Sequence, residues 1–177
     1  MNMRLLLLLL FGSVVMYTSC QSTSALIDSL AARVTENTSK GQILFRLVTD
    51  EADPAKDYFE IDSKDGKVLI TGNSDLSLAT GLNWYLKYVA GIHLSWKKLP
   101  EVLPLPQKKI RQATAMKNRY YLNYCTYSYS MAFWDWERWE KEIDWMAMHG
   151  INMPLSITGM EVVWYAETYR IYDGGDQ

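Results

Sequence analysis

The sequence is poor in cysteine, proline, histidine and net charge. Its 177 residues contain 2 Cys, 5 Pro and 2 His, and the formal net charge is −2. Two cysteines make no disulfide framework, so the fold must rest on an apolar core. The balance is near neutral, and the lysine pairs Lys97-Lys98 and Lys108-Lys109 are short. That excludes the basic footprint of a nucleic-acid binder. His93 and His149 stand alone, without metal-ligand spacing, so no metal is expected. Gly72, Gly81 and Gly91 lie too far apart for a phosphate-binding loop, and no cofactor is expected either.

What is present is an ordinary globular composition, 49% hydrophobic and 21% charged. The length suits one domain or two small ones. Aromatic residues make up 13%, with 7 Trp and 12 Tyr. Most follow Tyr120, so the two halves differ in character.

The N-terminus reads as a secretory signal. Arg4 supplies the positive region, and Leu5 to Phe11 with Val14 to Met16 form an apolar stretch of about a dozen residues. That is short of the about 20 residues a membrane span needs. The run ends in Tyr17-Thr18-Ser19-Cys20, which resembles a bacterial lipobox, with Tyr17 as a departure. Cys20 is therefore the candidate lipidation site, and the chain is expected to be exported to a bacterial cell envelope, as an outer-membrane lipoprotein or in the periplasm. The polar Gln21 to Ser24 stretch reads as a tether. The rival reading is an ordinary cleavage site with an incidental Cys.

Three segments follow: a lipoprotein-type signal peptide over 1–20, a small α/β domain over 21–112, and a different unit over 113–177. Ala25 to Val34 has the periodicity of a short helix with Leu26, Ile27, Leu30 and Val34 on one face. Gln42 to Thr49 reads as a strand, and Asp50 to Asp57 as a loop. Tyr58 to Ile61 and Lys67 to Ile70 flank Asp65-Gly66, a hairpin signal. Asn73-Ser74-Asp75 supplies helix caps. Leu78, Leu82, Tyr85, Leu86 and Val89 then continue at helical spacing to Gly91. Ile92 to Trp96 reads as a further strand, and Leu99 to Pro106 as extended chain. A helix on one face of an antiparallel or mixed sheet is the economical α+β solution.

Gln107 to Met116 reads as a bridge. Beyond it, Tyr120 to Cys125 is expected as a strand. A helix follows to Met148, capped by Asp135, with Trp136, Trp139, Ile143, Met146 and Ala147 inward. Ile151 to Ile157 is a second strand, apolar enough to be buried on both faces. Strand, helix, strand is a βαβ unit with parallel strands. Glu161 to Arg170 reads as a second helix or an ordered loop. One such unit cannot cover its own sheet, and a full (β/α)8 barrel needs about 250 residues. The fold expected is thus a small α+β domain followed by the first βα units of a truncated TIM barrel.

Barrel enzymes place functional groups at the C-terminal ends of strands. Asn123, Cys125 and Thr126 take that place after the first strand, and Ser156, Thr158, Gly159 and Glu161 after the second. An Asn amide both donates and accepts, which suits sugar hydroxyls. It also suits local backbone, and spacing does not choose between the two. Cys125 reads as a buried small residue or a pocket-lining one. Tyr127, Tyr129, Phe133 and Trp134 could stack on sugar rings, although pattern alone favours core packing. Glycoside hydrolysis requires two carboxylates. Asp135 is better explained as a cap and Glu137 as a first-turn charge, which leaves Glu161 alone.

The run Arg119 to Ser130, with its Asn-x-Cys-Thr step, the Trp134-Asp135-Trp136 spacing and the continuation His149 to Leu155 and Gly159-Met160-Glu161 resemble the start of the barrel in glycoside hydrolase family 89, the α-N-acetylglucosaminidases. Ala25 to Pro106 looks like the small domain that precedes that barrel. The resemblance implies a retaining hydrolase that removes terminal α-linked N-acetylglucosamine from glycans with a pair of Glu from later strands, outside this chain. It implies Asn123 and Cys125 as substrate-binding residues, Glu161 as a further one, and no catalytic residue here. Tyr124, Tyr127 and Ile157-Thr158 depart from the family pattern. The chain alone is then expected to be inactive, with a terminal N-acetylglucosamine glycan as partner of the full enzyme and the membrane as partner through Cys20. The alternatives are a non-catalytic surface glycan-binding lipoprotein and another barrel glycosidase such as a hexosaminidase.

Overall fold

Residues 25–48, 56–93 and 101–156 are described by the computed structural model. Helix α1 spans Ala25–Val34. Its inward stripe is Ile27, Leu30 and Ala31, while Leu26 is 72% exposed, against the sequence expectation. The small Ala31 side chain completes the stripe, since position 26 lies on the flank of a 3.6-residue helix whose centre is 27 and 31. A buried knot follows, in which the Thr35 hydroxyl donates to the Ala31 carbonyl and the Ser39 N–H donates to Thr35 Oγ1.

Among the described residues four strands form one mixed sheet: β1 (Ile43–Leu47), β2 (Asp57–Lys64), β3 (Lys67–Gly72) and β4 (Ile110–Thr114), in the order β1-β3-β2-β4. The expected hairpin is β2–β3, in register through Ile61↔Ile70. Its two turn residues, Asp65 at φ 53° and Gly66 at φ 72°, have the positive φ of a type I′ turn. β1 pairs with β3 in parallel. Among the described residues the fourth strand does not fall in the expected Ile92 to Trp96 segment. Ile92 and His93 are irregular, and residues 94–96 lie outside the described ones. It is β4, in a segment whose polar composition reads as a bridge. Neighbours hold it in place of propensity: β4 pairs antiparallel with β2, and Glu60 accepts from Arg111 and pairs with Lys109, each at 2.8 Å. Lys109, and then Arg111, hold the Glu60 carboxyl below its ordinary range against the opposing effect of burial.

Helix α2 (Asp75–Tyr88) covers the sheet. Ser74 caps it, its side chain accepting the Ser77 N–H as expected of that cluster. Leu78, Leu82, Tyr85 and Leu86 are fully buried. Gly81 lets the helix approach, since a Cβ there would lie 2.8 Å from Ile70 and 3.2 Å from Phe59. The Pro-rich segment is pinned across the end of this core. The Tyr85 hydroxyl donates to the Pro104 carbonyl at 2.7 Å, and the Gln42 amide bonds Leu103 N–H and the Glu101 carbonyl.

The second unit begins at β5, which is only Tyr120–Tyr121. Tyr124–Ser128 is a short helix, α3, and Ser130–Phe133 a 3-10 turn. Helix α4 (Trp136–Met148) follows, capped by Asp135 as expected, and then β6, Met153–Pro154. β5 and β6 pair in parallel, Tyr120 opposite Met153. Strand, helix and parallel strand therefore stand in the expected order, but the strands are short. Met153 and Pro154 are exposed, so burial on both faces does not hold for β6 among the described residues. The inward face of α4 also differs. Trp136 and Ile143 are 69% and 45% exposed, while Glu142, Asp144, Met146 and Met148 are buried. That face is drawn round because α4 packs on α2, with Met148 and Ala147 joining the core of the first unit.

Candidate functional site

Leu122 is in the left-handed region, at φ 74°, where a bulky residue is strained. The bend ends β5 and starts α3. Asn123 is then the N-cap, and its Oδ1 accepts from the Thr126 N–H at 3.2 Å and the Thr126 hydroxyl at 3.1 Å. Its amide nitrogen and its exposure leave it a face toward solvent. Cys125 stands on α3 and not at the end of a strand, and it is an exposed free thiol. The expectation of a buried small residue fails among the described residues, because the backbone turns at Leu122 before Cys125 can be carried into the sheet.

The aromatic residues divide into two sets. Tyr127 stacks on Trp139, with centroids 6.0 Å apart, and donates its hydroxyl to the Leu155 carbonyl. Trp134 meets Trp139 edge-on at 5.1 Å, and the Arg138 guanidinium lies over Trp134 at 3.8 Å. These rings tie α3 and α4 to the end of β6. Tyr129 and Phe133, which the sequence groups with them, are 74% and 92% exposed.

All four carboxylates of α4 are engaged by cations. Glu137 pairs with Lys141, Glu140 and Asp144 with Arg33, and Glu142 with Arg138. Glu142 also accepts the Tyr121 hydroxyl at 3.0 Å. Burial, and then that bond, raise the Tyr121 hydroxyl above its ordinary range. Asp135 is occupied as a cap, accepting the Arg138 N–H.

Sequence reasoning missed the seam between the two units. Arg33 on α1 holds Asp144 on α4 through two bonds of 2.8 and 2.7 Å. The Arg119 guanidinium donates to Asp57 on β2, to the Gly150 carbonyl and to the Met116 carbonyl. These partners lie 111 and 62 positions apart for the two ion pairs, so no local pattern announces them. A cavity of about 220 Å³ sits at the seam, lined by Asp57, Phe59, Thr80, Gln112, Arg119 and His149 among others. A second, of about 170 Å³, brings His93 and His149 to one wall. His149 Nδ1 lies 2.8 Å from the Trp145 carbonyl and its ring stacks on Trp145. Among the described residues no group of three His, Cys, Asp or Glu could hold a metal. Asn123 and Cys125 line neither cavity. Glu161, Cys20 and the 1–20 signal lie outside the described residues, as do the segments after Ser156.

Both halves of the chain have relatives. Residues 25–107 match the family model described as alpha-N-acetylglucosaminidase (NAGLU) N-terminal domain, and residues 119–173 the model of the same protein's tim-barrel domain. Human alpha-N-acetylglucosaminidase is 43% identical over 102 residues, 55% of this chain and 14% of that protein. A family 89 glycoside hydrolase from Clostridium perfringens, solved with PUGNAc, superposes with TM-score 0.68 at 39% identity over 75% of this chain and 15% of that one. A form of the C. perfringens enzyme with two Glu replaced by Gln, solved with its substrate GlcNAc-alpha-1,4-galactose, gives TM-score 0.67 at 39% identity over 74% of this chain and 15% of that one. The chain thus spans a small part of the length of these relatives. It carries sequence of both their N-terminal and their barrel domains, and it belongs to the alpha-N-acetylglucosaminidase family, glycoside hydrolase family 89.

Proposed function

We propose that the chain is the N-terminal part of a retaining glycoside hydrolase that removes terminal α-linked N-acetylglucosamine from glycans. The observation that carries the reading is the 39% identity, over three quarters of this chain, to an enzyme solved with GlcNAc-alpha-1,4-galactose as its substrate. The parallel β5–α4–β6 arrangement supports it as the first units of a barrel, with Asn123 just beyond the C-terminal end of β5. Asn123, Cys125 and Glu161 bind sugar in this reading. The catalytic pair of Glu belongs to later strands, and the double Glu-to-Gln form of the C. perfringens enzyme supports a pair.

The 177 residues alone are inactive in this reading. Hydrolysis requires one carboxyl group to donate a proton and another to attack or activate water. The carboxylates of α4 are each bound to a cation. The complete enzyme is expected to release p-nitrophenol from its α-N-acetylglucosaminide with the α-anomer as first product, seen by NMR. The isolated chain is expected to release none above background, and release by the purified chain would sink the inactivity reading.

A second reading, a non-catalytic surface lipoprotein that binds glycans, is favoured by the exposure of Tyr124, Tyr129 and Phe133. Binding of N-acetylglucosamine glycans by a complete protein that hydrolyses none would establish it in place of the first. In either reading the protein is exported to the cell envelope and anchored through Cys20. What supports this is the apolar run ending in Thr18-Ser19-Cys20 and the polar tether before α1. Mass spectrometry of the mature N-terminus is expected to find a diacylated Cys20. A first residue at or beyond Gln21 refutes the anchor.

A further inference from the structure

Arg119 stands where three segments meet. Its guanidinium is held by Asp57 at the start of β2, by the Met116 carbonyl and by the Gly150 carbonyl, and its side chain is 15% exposed. Its backbone is engaged as well. The Arg119 N–H donates to Asn152 Oδ1 at 2.8 Å, and its carbonyl accepts from the N–H groups of Asn152 and Met153. Asn152 reaches on to the Lys117 carbonyl. One residue therefore joins the first unit, the end of α4 and the starts of both β5 and β6.

Gly150 sets how close this junction is. The Ile151 N–H donates to Met146 and the Gly150 N–H to Ala147, the two bonds of a Schellman cap, with Gly150 left-handed at φ 72°. A Cβ at Gly150 would lie 3.1 Å from Thr80 Oγ1 of α2. The turn that launches β6 is thus pressed against the first unit and bonded to Arg119 there.

A short parallel pair has few ladder bonds of its own to set its register. Beside the β5–β6 ladder, Met153 N–H donates to Arg119 and Leu155 N–H to Tyr121. We infer that the Asp57–Arg119 ion pair is a positioning contact, through which the first unit sets the pairing of β5 with β6 and so the placement of Asn123 beyond β5. The link to substrate rests on the function proposed above; the link to strand pairing does not.

Two measurements separate these links. Hydrogen exchange on the 177-residue chain reads Met153 and Leu155 for the β5–β6 pair and Val48, which donates to Gly72, for the first sheet. Asp57→Asn, and Arg119→Lys as a second variant, are expected to speed exchange at Met153 and Leu155 about tenfold, the loss of roughly one charge-assisted hydrogen bond, with Val48 unchanged. Glu60→Gln on the same strand removes ion pairs away from the seam and is expected to leave Met153 and Leu155 alone. Equal acceleration at all three amides, no acceleration, or the same effect from Glu60→Gln overturns the inference. In the complete enzyme, Asp57→Asn is expected to raise KM for the aryl glycoside about tenfold with kcat nearly constant, the signature of a misplaced binding residue. A fall in kcat with KM constant overturns the link to Asn123. A wild-type enzyme without that activity sinks the proposed function and leaves the exchange result standing.

Discussion

Replacing Tyr85 by alanine is expected to leave the first unit unfolded at ambient temperature. The ring is fully buried under α2, and its hydroxyl donates to Pro104. Truncating a buried large aromatic to Ala costs about 3–5 kcal/mol. The lost hydrogen bond to the Pro104 carbonyl adds about 1 kcal/mol. Together these approach the whole stability of a small domain, about 5–15 kcal/mol. Tyr85→Phe separates the two parts, because it keeps the ring and loses only the bond. Its urea midpoint is expected to fall modestly where the Ala variant shows no transition. A folded Ala variant of near wild-type midpoint would mean that Tyr85 does not anchor α2 on the sheet.

The same hydroxyl predicts an alkaline weakness. Burial pushes Tyr85 up to about 12, from the ordinary 10.0. A group whose folded value is raised binds its proton more tightly when folded. Its stabilising contribution is complete below pH 10 and is lost as pH rises from there toward 12, at about 1.4 kcal/mol per unit. Tyr85→Phe should flatten that part of the stability curve.

Gly81→Val is expected to be the next most damaging substitution. In open space a helical Gly would gain about 1 kcal/mol from replacement by Ala. Here the first added carbon meets Ile70 at 2.8 Å, and Ile70 and Phe59 are 0% and 6% exposed, with nowhere to move. Overpacking of this kind costs about 1–3 kcal/mol for Ala, and more for a branched side chain. Gly81→Ala should therefore lower the urea midpoint despite its helix preference, and Gly81→Val should abolish the transition. A rise in midpoint for the Ala variant would show that α2 can lift off the sheet at little cost.

These two positions also mark what could be read from the sequence and what could not. The spacing of Leu78, Leu82, Tyr85 and Leu86 announces α2 and its buried face, and Asp65-Gly66 announces the β2–β3 turn. Both are local signals carried within a few residues. β4 is invisible because its place depends on Glu60, on another strand, bonding Lys109 and Arg111. The face of α4 is hidden from the sequence for a related reason. Trp136, Trp139 and Ile143 make the stronger apolar stripe, yet Asp144 is buried because Arg33 waits for it on α1. In the candidate site, the family resemblance points to Asn123 and Cys125. The left-handed Leu122 that shapes both has no compositional mark, since Leu rarely adopts that conformation. Arg119 and Asp57 look like ordinary surface charges until the two units are brought together.

The seam between α4 and the first unit has a consequence for the order in which the protein is made. The partners of the α4 face, Arg33 on α1 and Ile92, Leu86 and Leu103 in the core that Met148 joins, all precede it in the chain. A polypeptide emerges N-terminus first, at about 5–20 residues per second, and its domains fold as units. The surface that receives α4 is therefore complete several seconds before the strands of any later segment arrive. A nascent chain has no need to hold its Trp-rich helix free in solution while the rest is synthesised. It can park one side of that helix on a finished platform at once, and offer the other side, with Trp136 and Ile143, to whatever is translated next.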